Sequence, residues 1–231
     1  VDVDGTPYVV RIPGANTELL AVDRRNEYHN TRAAQQAGVG PVIAHSLKML
    51  HTGPRFQTDF NMFRLTEYYL KVVDGQAVRI PERFRGYLPQ VARIEEALTR
   101  NPLPTVPCHN DLLAENYIDD GKLLRLIDFE YSGNNDPTFE LGNTCQEQQY
   151  DEPRIVEMCA AYFGAAYPDK LARMKLNMIM SDVGWTLWAA IQARISTIDF
   201  DFWGWAVERW ARAGAKMDSA DFSIWLATVR A

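Results

Sequence analysis

The chain has 231 residues, of which 47% are hydrophobic and 23% charged, and its formal net charge is −6. This length and composition are typical of folded globular proteins and exclude a mainly disordered chain. The acidic balance, without any run of Lys or Arg, argues against a protein that binds nucleic acid.

The first 40 or so residues predict a β-β-α unit. Two apolar segments, 1–3 and 8–12, flank Asp4-Gly5, which is a typical hairpin turn sequence. A helix is predicted over Asp23–Ala37, and Gly38 ends it.

The rest of the chain is predicted to be mostly helical, apart from one hairpin. Short apolar segments over Asn116–Ile118 and Leu123–Ile127 flank Asp119-Asp120-Gly121 and predict that hairpin. A small β-rich part followed by a larger helical part predicts two unequal lobes, over residues 1–45 and 46–231. The predicted helices are Ser46–His51, Pro89–Arg100, Ile155–Phe163, Lys170–Thr197, Phe202–Gly214 and Phe222–Val229.

Neither a membrane span nor a secretion signal is predicted. No apolar stretch approaches the ~18 residues of a spanning helix, and the N-terminal residues do not match a signal peptide. Three scattered cysteines, Cys108, Cys145 and Cys159, indicate free thiols in a reducing compartment rather than a disulfide framework. We therefore expect a cytoplasmic protein.

The most informative stretch runs from Cys108 to Asn116. It places Asp111 and Asn116 five positions apart, and Asp128 follows after the predicted hairpin, beside Phe129. This is the spacing of a kinase catalytic loop and its metal-binding Asp. A substrate hydroxyl needs a carboxylate that orients it and accepts its proton, and Asp111 fits that role. Asn116 and Asp128 offer the hard oxygen ligands that magnesium prefers.

A cluster of aromatic residues near the C-terminus indicates a binding site for a cation. Trp185 and Trp188 lie three positions apart on one predicted helix, so they share a face, and Phe202 and Trp205 follow. Aromatic faces attract quaternary ammonium groups, which cannot donate hydrogen bonds. The alternative is that these rings belong only to the hydrophobic core.

Several of these motifs resemble those of the choline and ethanolamine kinases. The resemblance rests on Cys108-His109-Asn110-Asp111, on Ile127–Ser132, and on Phe139–Asn143 with the later tryptophan motif. That family belongs to a larger group that includes the aminoglycoside phosphotransferases. The resemblance covers most of the chain. It implies an α+β, protein-kinase-like two-lobe fold, with a small β-rich N-terminal nucleotide lobe, incomplete here, and a large helical C-terminal lobe.

The resemblance also implies roles for individual residues. Arg11, positioned by Glu27, is expected to steady the phosphates of ATP, and Glu130 to assist Asn116 and Asp128 in holding magnesium. The expected substrate site consists of Asp111, the ring walls Trp185, Trp188, Phe202 and Trp205, and Tyr131 and Glu147 near the ammonium group.

The implied reaction converts ATP and choline to ADP and phosphocholine, with magnesium. Phe202 and Trp205 stand where relatives often have Tyr, and the loss of two hydroxyls favours choline over ethanolamine. Kinases for ethanolamine, thiamine or an aminoglycoside are the alternatives of the same class. A pseudokinase that binds quaternary ammonium without catalysis is the alternative of another class.

The chain departs from the family pattern in its N-terminal part. Only a few residues precede Arg11, too few for the glycine-rich hairpin that the family has over the phosphates. Either the enzyme is abridged or loops near His45–Ser46 are absent from this sequence, and we favour the second. Gly40-Pro41 and Leu50-His51 are ten residues apart, too close for the hinge segment that the family has between these motifs. The adenine contacts are therefore not among the residues we can name.

Overall fold

The structure is a computed structural model that describes residues 2–3, 6–7, 43–119 and 124–231. Six short strands and eight α-helices lie in this part of the chain, together with three short 3-10 helices. The helices are α1 (Ile43–His51), α2 (Met62–Gly75), α3 (Leu88–Arg100), α4 (Pro137–Glu147), α5 (Glu152–Phe163), α6 (Pro168–Ile195), α7 (Phe202–Asp218) and α8 (Ala220–Arg230).

The strands form three two-stranded antiparallel sheets. Strand β1 (Asp2–Val3) pairs with β2 (Thr6–Pro7) across the predicted first turn. Of the remaining N-terminal predictions, the strand over 8–12 and the helix over 23–37 lie outside the described residues.

The two other sheets frame the predicted catalytic motifs. Strands β4 (Tyr117–Asp119) and β5 (Leu124–Leu126) form the second predicted hairpin. Strand β3 (Val106–Cys108) pairs with β6 (Gly133–Asn135). The residues after β3 therefore lie beside the residues that precede β6.

Helix α6 is the centre of the C-terminal part. It has 28 residues, and its side chains are buried on nearly every face from Ala172 to Ile191. A helix that is apolar on most sides must be surrounded by other elements. Helix α6 accordingly packs against α2, α4, α7 and α8. The long helix predicted over Lys170–Thr197 is confirmed.

Helix α2 has no counterpart among the predicted helices. Asn61 caps this helix, because its side chain accepts hydrogen bonds from the backbone N–H groups of Phe63 and Arg64. Its buried face includes Met62 and Tyr69 and turns toward the main helical core. The Asn cap before an apolar periodicity was the available signal.

The three cysteines are buried free thiols. Among the described residues, no helix combines the length and the apolar character that crossing a membrane requires.

Helices α4 and α6 approach each other closely at Gly142. A Cβ atom at this position would lie 2.6 Å from the carbonyl oxygen of Met174 and 3.1 Å from the backbone nitrogen of Met178. Backbone atoms of a packed helix cannot move aside as a flexible side chain can. The contact between the two helices therefore requires glycine.

We expect Gly142→Ala to lower the free energy of unfolding by about 1–3 kcal/mol, because the added methyl group forces the two helices apart. Urea unfolding followed by circular dichroism measures this change.

Gly214→Ala on α7 is the matched control. A Cβ atom at Gly214 meets no heavy atom within 4 Å. Alanine should therefore stabilise that helix by about 0.5–1 kcal/mol. Equal stability of the Gly142→Ala variant and the unchanged chain would contradict the packing argument.

Candidate active site

The segment that follows β3 is held by a buried carboxylate. The backbone N–H of His109 donates to both side-chain oxygens of Glu140 on α4, at 3.0 and 2.8 Å. His51 at the end of α1 lies 3.4 Å from the same carboxylate. Three elements of the fold therefore meet at the start of the predicted catalytic segment.

The imidazole of His109 links this segment to the end of β5. Its Nε2 lies 2.7 Å from the carbonyl oxygen of Ile127, which accepts only if Nε2 carries the proton. Its Nδ1 accepts from the backbone N–H of Asp111 at 3.3 Å. The neutral tautomer with the proton on Nε2 satisfies both contacts.

Asn110 adopts a left-handed backbone conformation, with φ 69°. Asn tolerates this conformation better than most residues. Its amide donates to the carbonyls of Tyr131 and Gly133, and its carbonyl accepts from the side chain of Asn135. These contacts fix the turn that presents Asp111.

Asn116 and Asp128 lie at the two ends of the hairpin, as the spacing predicts. The amide of Asn116 donates to the backbone carbonyl of Asp111 at 2.7 Å. The backbone carbonyl of Asn116 accepts from the backbone N–H of Ile127 at 3.0 Å. Asp128 is left-handed, with φ 68°, and starts the 3-10 helix Phe129–Tyr131. The hairpin thus connects all three residues of the catalytic motif.

Several carboxylates are concentrated around Asp111. Burial, followed by the charges of Glu147, Asp128 and Glu130, raises the pKa of Asp111 well above its usual range. Among the named contributions, only that of Arg209 opposes this shift. A cleft with this balance favours the binding of positive charge.

Asp111 opens onto a small cavity with about 30 Å³ of space for the centre of a water-sized sphere. This volume is well below the ~300–1,000 Å³ range of pockets for drug-sized ligands. The lining residues are Asp111, Leu113, Glu130, Tyr131, Glu147, Trp185, Trp188, Trp205 and Arg209. Six of the seven predicted substrate residues are among them.

Aromatic rings form the walls of this cavity. Trp185 packs edge-on against Tyr131, with ring centroids 4.9 Å apart. The indole N–H of Trp188 donates to the hydroxyl of Tyr131 at 2.9 Å, and its ring meets that of Trp205 at 5.8 Å. The rings are thus fixed against one another before any ligand binds.

Phe202 is the seventh predicted substrate residue, and it does not line the cavity. Its ring packs against that of Trp188 at 5.9 Å, and the residue is only 9% exposed. Phe202 therefore contacts a residue of the cavity wall, and its role at the substrate stays a prediction.

Glu147 lines the cavity as expected, but its carboxylate is engaged by a residue that the sequence analysis missed. Arg209 on α7 donates to its two oxygens at 2.7 and 2.5 Å. The guanidinium also stacks on the ring of Trp205, 3.7 Å from its centroid. The carboxylate of Glu147, which was expected near an ammonium group, therefore forms an ion pair with Arg209.

A sequence signal for Arg209 existed. Phe202, Ala206, Arg209 and Ala213 are spaced three or four positions apart on α7, and all four are buried. A charged residue on the apolar face of a helix requires a partner of opposite charge. The identity of that partner depends on the packing of α7 against other helices, which the spacing does not give.

Arg11 and Glu27, the residues predicted to hold the phosphates, lie outside the described residues.

Comparison with known families and proteins agrees with the geometry. The family model for choline/ethanolamine kinase matches residues 42–161. Human ethanolamine kinase 2 is 33% identical over 268 aligned residues, which cover 87% of this chain and 67% of the human protein.

Solved structures extend the similarity to the whole fold. A choline/ethanolamine kinase family protein from Mesorhizobium loti superposes with a TM-score of 0.82 at 30% identity, covering 90% of this chain and 83% of that protein. The choline kinase LicA from Streptococcus pneumoniae has a TM-score of 0.74 at 21% identity, covering 88% and 83%. A second structure of LicA contains AMP. The kinase-like fold is thereby confirmed.

A family model that spans half of the chain and a relative at 33% identity are sufficient to assign the family. This chain belongs to the choline/ethanolamine kinase family and is a phosphotransferase with an alcohol acceptor.

Proposed function

We propose that this enzyme transfers the γ-phosphoryl group of ATP to the hydroxyl of choline and produces phosphocholine and ADP. The observation that supports this most directly is the shared cavity of Asp111 with Trp185, Trp188 and Trp205. A group that can activate a hydroxyl and ring faces that attract a cation line the same cavity.

Asp111 is the proposed catalytic residue. Its carboxylate orients the substrate hydroxyl and accepts its proton as the phosphoryl group is transferred. The turn at Asn110 and the bond from the Asn116 amide hold its backbone. Rigid placement matters because phosphoryl transfer depends mainly on positioning and charge neutralisation.

Asn116, Asp128 and Glu130 are the proposed magnesium ligands. They offer one amide oxygen and two carboxylates, which is the hard donor set that this ion prefers. The two carboxylates lie close enough to Asp111 to raise its pKa. A bound magnesium ion supplies positive charge to the phosphates during transfer.

The nucleotide is proposed to bind on the N-terminal side of this site. The relative LicA, whose structure contains AMP, supports an adenine nucleotide as co-substrate. Arg11 and Glu27 stay predicted phosphate-binding residues. The division into a nucleotide lobe over residues 1–45 and a catalytic lobe over 46–231 also stays a prediction, as does the cytoplasmic location.

The rings of Tyr131, Trp185, Trp188 and Trp205 are proposed to surround the trimethylammonium group. Each suitable ring face contributes about 0.5–2 kcal/mol to the binding of a cation. Trp188 already donates to the hydroxyl of Tyr131, and Glu147 is paired with Arg209. Tyr131 and Glu147 therefore already accept hydrogen bonds from the protein, which favours choline over ethanolamine.

Ethanolamine is the second candidate substrate, because human ethanolamine kinase 2 is a close relative. An aminoglycoside is disfavoured, because its several ammonium groups need several carboxylates, whereas four aromatic rings line this cavity. The ordered placement of Asp111, Asn116 and Asp128 speaks against a non-catalytic binding protein. A substrate panel assayed for ADP release separates these alternatives.

We expect Asp111→Asn to abolish turnover, because the amide cannot accept the proton of the hydroxyl. The variant should melt at an equal or higher temperature, since it removes a charge that burial and nearby carboxylates disfavour. ADP release and a thermal melting curve measure the two effects.

Asp221→Asn, at an exposed position on α8, is the control and should keep full activity. If the Asp111→Asn variant retains more than about a hundredth of the activity, a general base at this position is excluded.

Trp188→Ala tests the ring box, the name used here for the rings of Tyr131, Trp185, Trp188 and Trp205. It should raise the KM for choline about tenfold and leave the KM for ATP unchanged, because it removes a cation–π contact and not a phosphate contact. Steady-state kinetics with each substrate varied in turn measures both constants.

Trp210→Phe is the matched control for a role in the core. The ring of Trp210 packs against Phe84 and Tyr87, away from the cavity. This variant should melt earlier with both KM values unchanged. An unchanged choline KM in a stably folded Trp188→Ala variant would remove Trp188 from the site.

A further inference from the structure

Arg209 is a buried cation on the wall of a cavity that is proposed to bind a cation. It is 1% exposed and lines the same space as Asp111. Its guanidinium holds both oxygens of Glu147, whose side chain is only 4% exposed, and covers one face of Trp205. An arginine here needs an explanation, because its charge opposes that of the substrate.

The two parallel bonds from Arg209 to Glu147, here called the fork, change what the carboxylate of Glu147 can offer to a ligand. A bidentate arginine occupies one lone pair on each carboxylate oxygen and neutralises the charge of the pair. A primary ammonium group carries three N–H donors that need acceptors when buried, whereas a trimethylammonium group carries none. The fork therefore lowers the affinity for the first group more than for the second.

The orientation of Arg209 is fixed from its other side as well. Its Nη1 lies 3.5 Å from the buried carboxylate of Asp182 on α6. Arg212, one turn further along α7, donates to the same carboxylate at 2.7 Å. Arg212 is not among the residues that line the cavity. The network holds the guanidinium against Glu147 and prevents the carboxylate from turning to a ligand.

We propose that Arg209 is the residue that selects against substrates with ammonium N–H groups, by keeping Glu147 occupied. This selection rests on the proposed function, and it adds a determinant that the ring box does not contain. The substrate class that it favours is a small alcohol with a fully methylated nitrogen.

Arg209→Lys tests the selection and keeps the positive charge. A lysine ammonium is a point donor that cannot hold both oxygens of Glu147 in a fork. One oxygen then faces the cavity and accepts from a primary ammonium group. The kcat/KM ratio for choline over ethanolamine should fall about tenfold, the factor expected for one hydrogen bond to a charged group.

Arg212→Lys is the matched control. Lysine keeps the positive charge beside Asp182 and position 212 does not line the cavity, so Arg209 keeps both of its bonds to Glu147. The choline to ethanolamine ratio should therefore equal that of the unchanged enzyme. A fall of similar size in this control would show that the ratio does not depend on the contact between Arg209 and Glu147, and would overturn the proposal. An unchanged ratio in a folded Arg209→Lys variant would also overturn the proposal.

Glu147→Gln gives a second test that does not depend on the folding of the Arg209→Lys variant. It leaves the charge of Arg209 uncompensated, so the KM values of both alcohols should rise by similar factors. If Glu147 instead contacts the ammonium group directly, the KM for ethanolamine should rise several times more, and the proposal fails. If the unchanged enzyme phosphorylates neither alcohol, the proposed function fails first.

Discussion

The buried carboxylate of Glu140 is the contact on which the geometry of the catalytic segment depends. It accepts both branches of the hydrogen bond from the backbone N–H of His109 and lies beside His51. A buried carboxylate is costly unless such donors satisfy it, and losing one of them would leave an uncompensated charge. This contact sets the position of the turn at Asn110, of the carboxylate of Asp111 and of the hairpin that comes after them.

The site combines rigid placement with an excess of negative charge. Asp128, Glu130 and Glu147 all raise the pKa of Asp111, and Arg209 alone among the named groups lowers it. Such an arrangement lowers the stability of the empty enzyme and strengthens the binding of cations, since both a metal ion and an ammonium group relieve the repulsion. Stability of the fold has to come from elsewhere, mainly from the helices packed around α6.

The sequence was informative where chemistry depends on short spacing. Asn116 and Asp128 flank one hairpin and Asp111 lies five positions before Asn116, so their separation along the chain limits their separation in space. Contacts between distant helices were not predictable in this way. Arg209 meets Glu147 across 62 positions, and the ring contact of Phe202 with Trp188 depends on how α7 packs on α6.

Along one turn of α6, the aromatic cluster contributes both to the hydrophobic core and to the candidate cation site. Trp185 is 3% exposed and belongs to the main helical core, yet one edge of it reaches the cavity. Trp188, three residues later, is half-buried and is fixed by its bond to Tyr131. A ring that is already packed loses little freedom when a ligand binds, so the packing that stabilises the helix also prepares the walls for a cation. The same aromatic residues can therefore serve both the core and the substrate. Trp185 contributes more to the core, and Trp188 contributes more to the cavity.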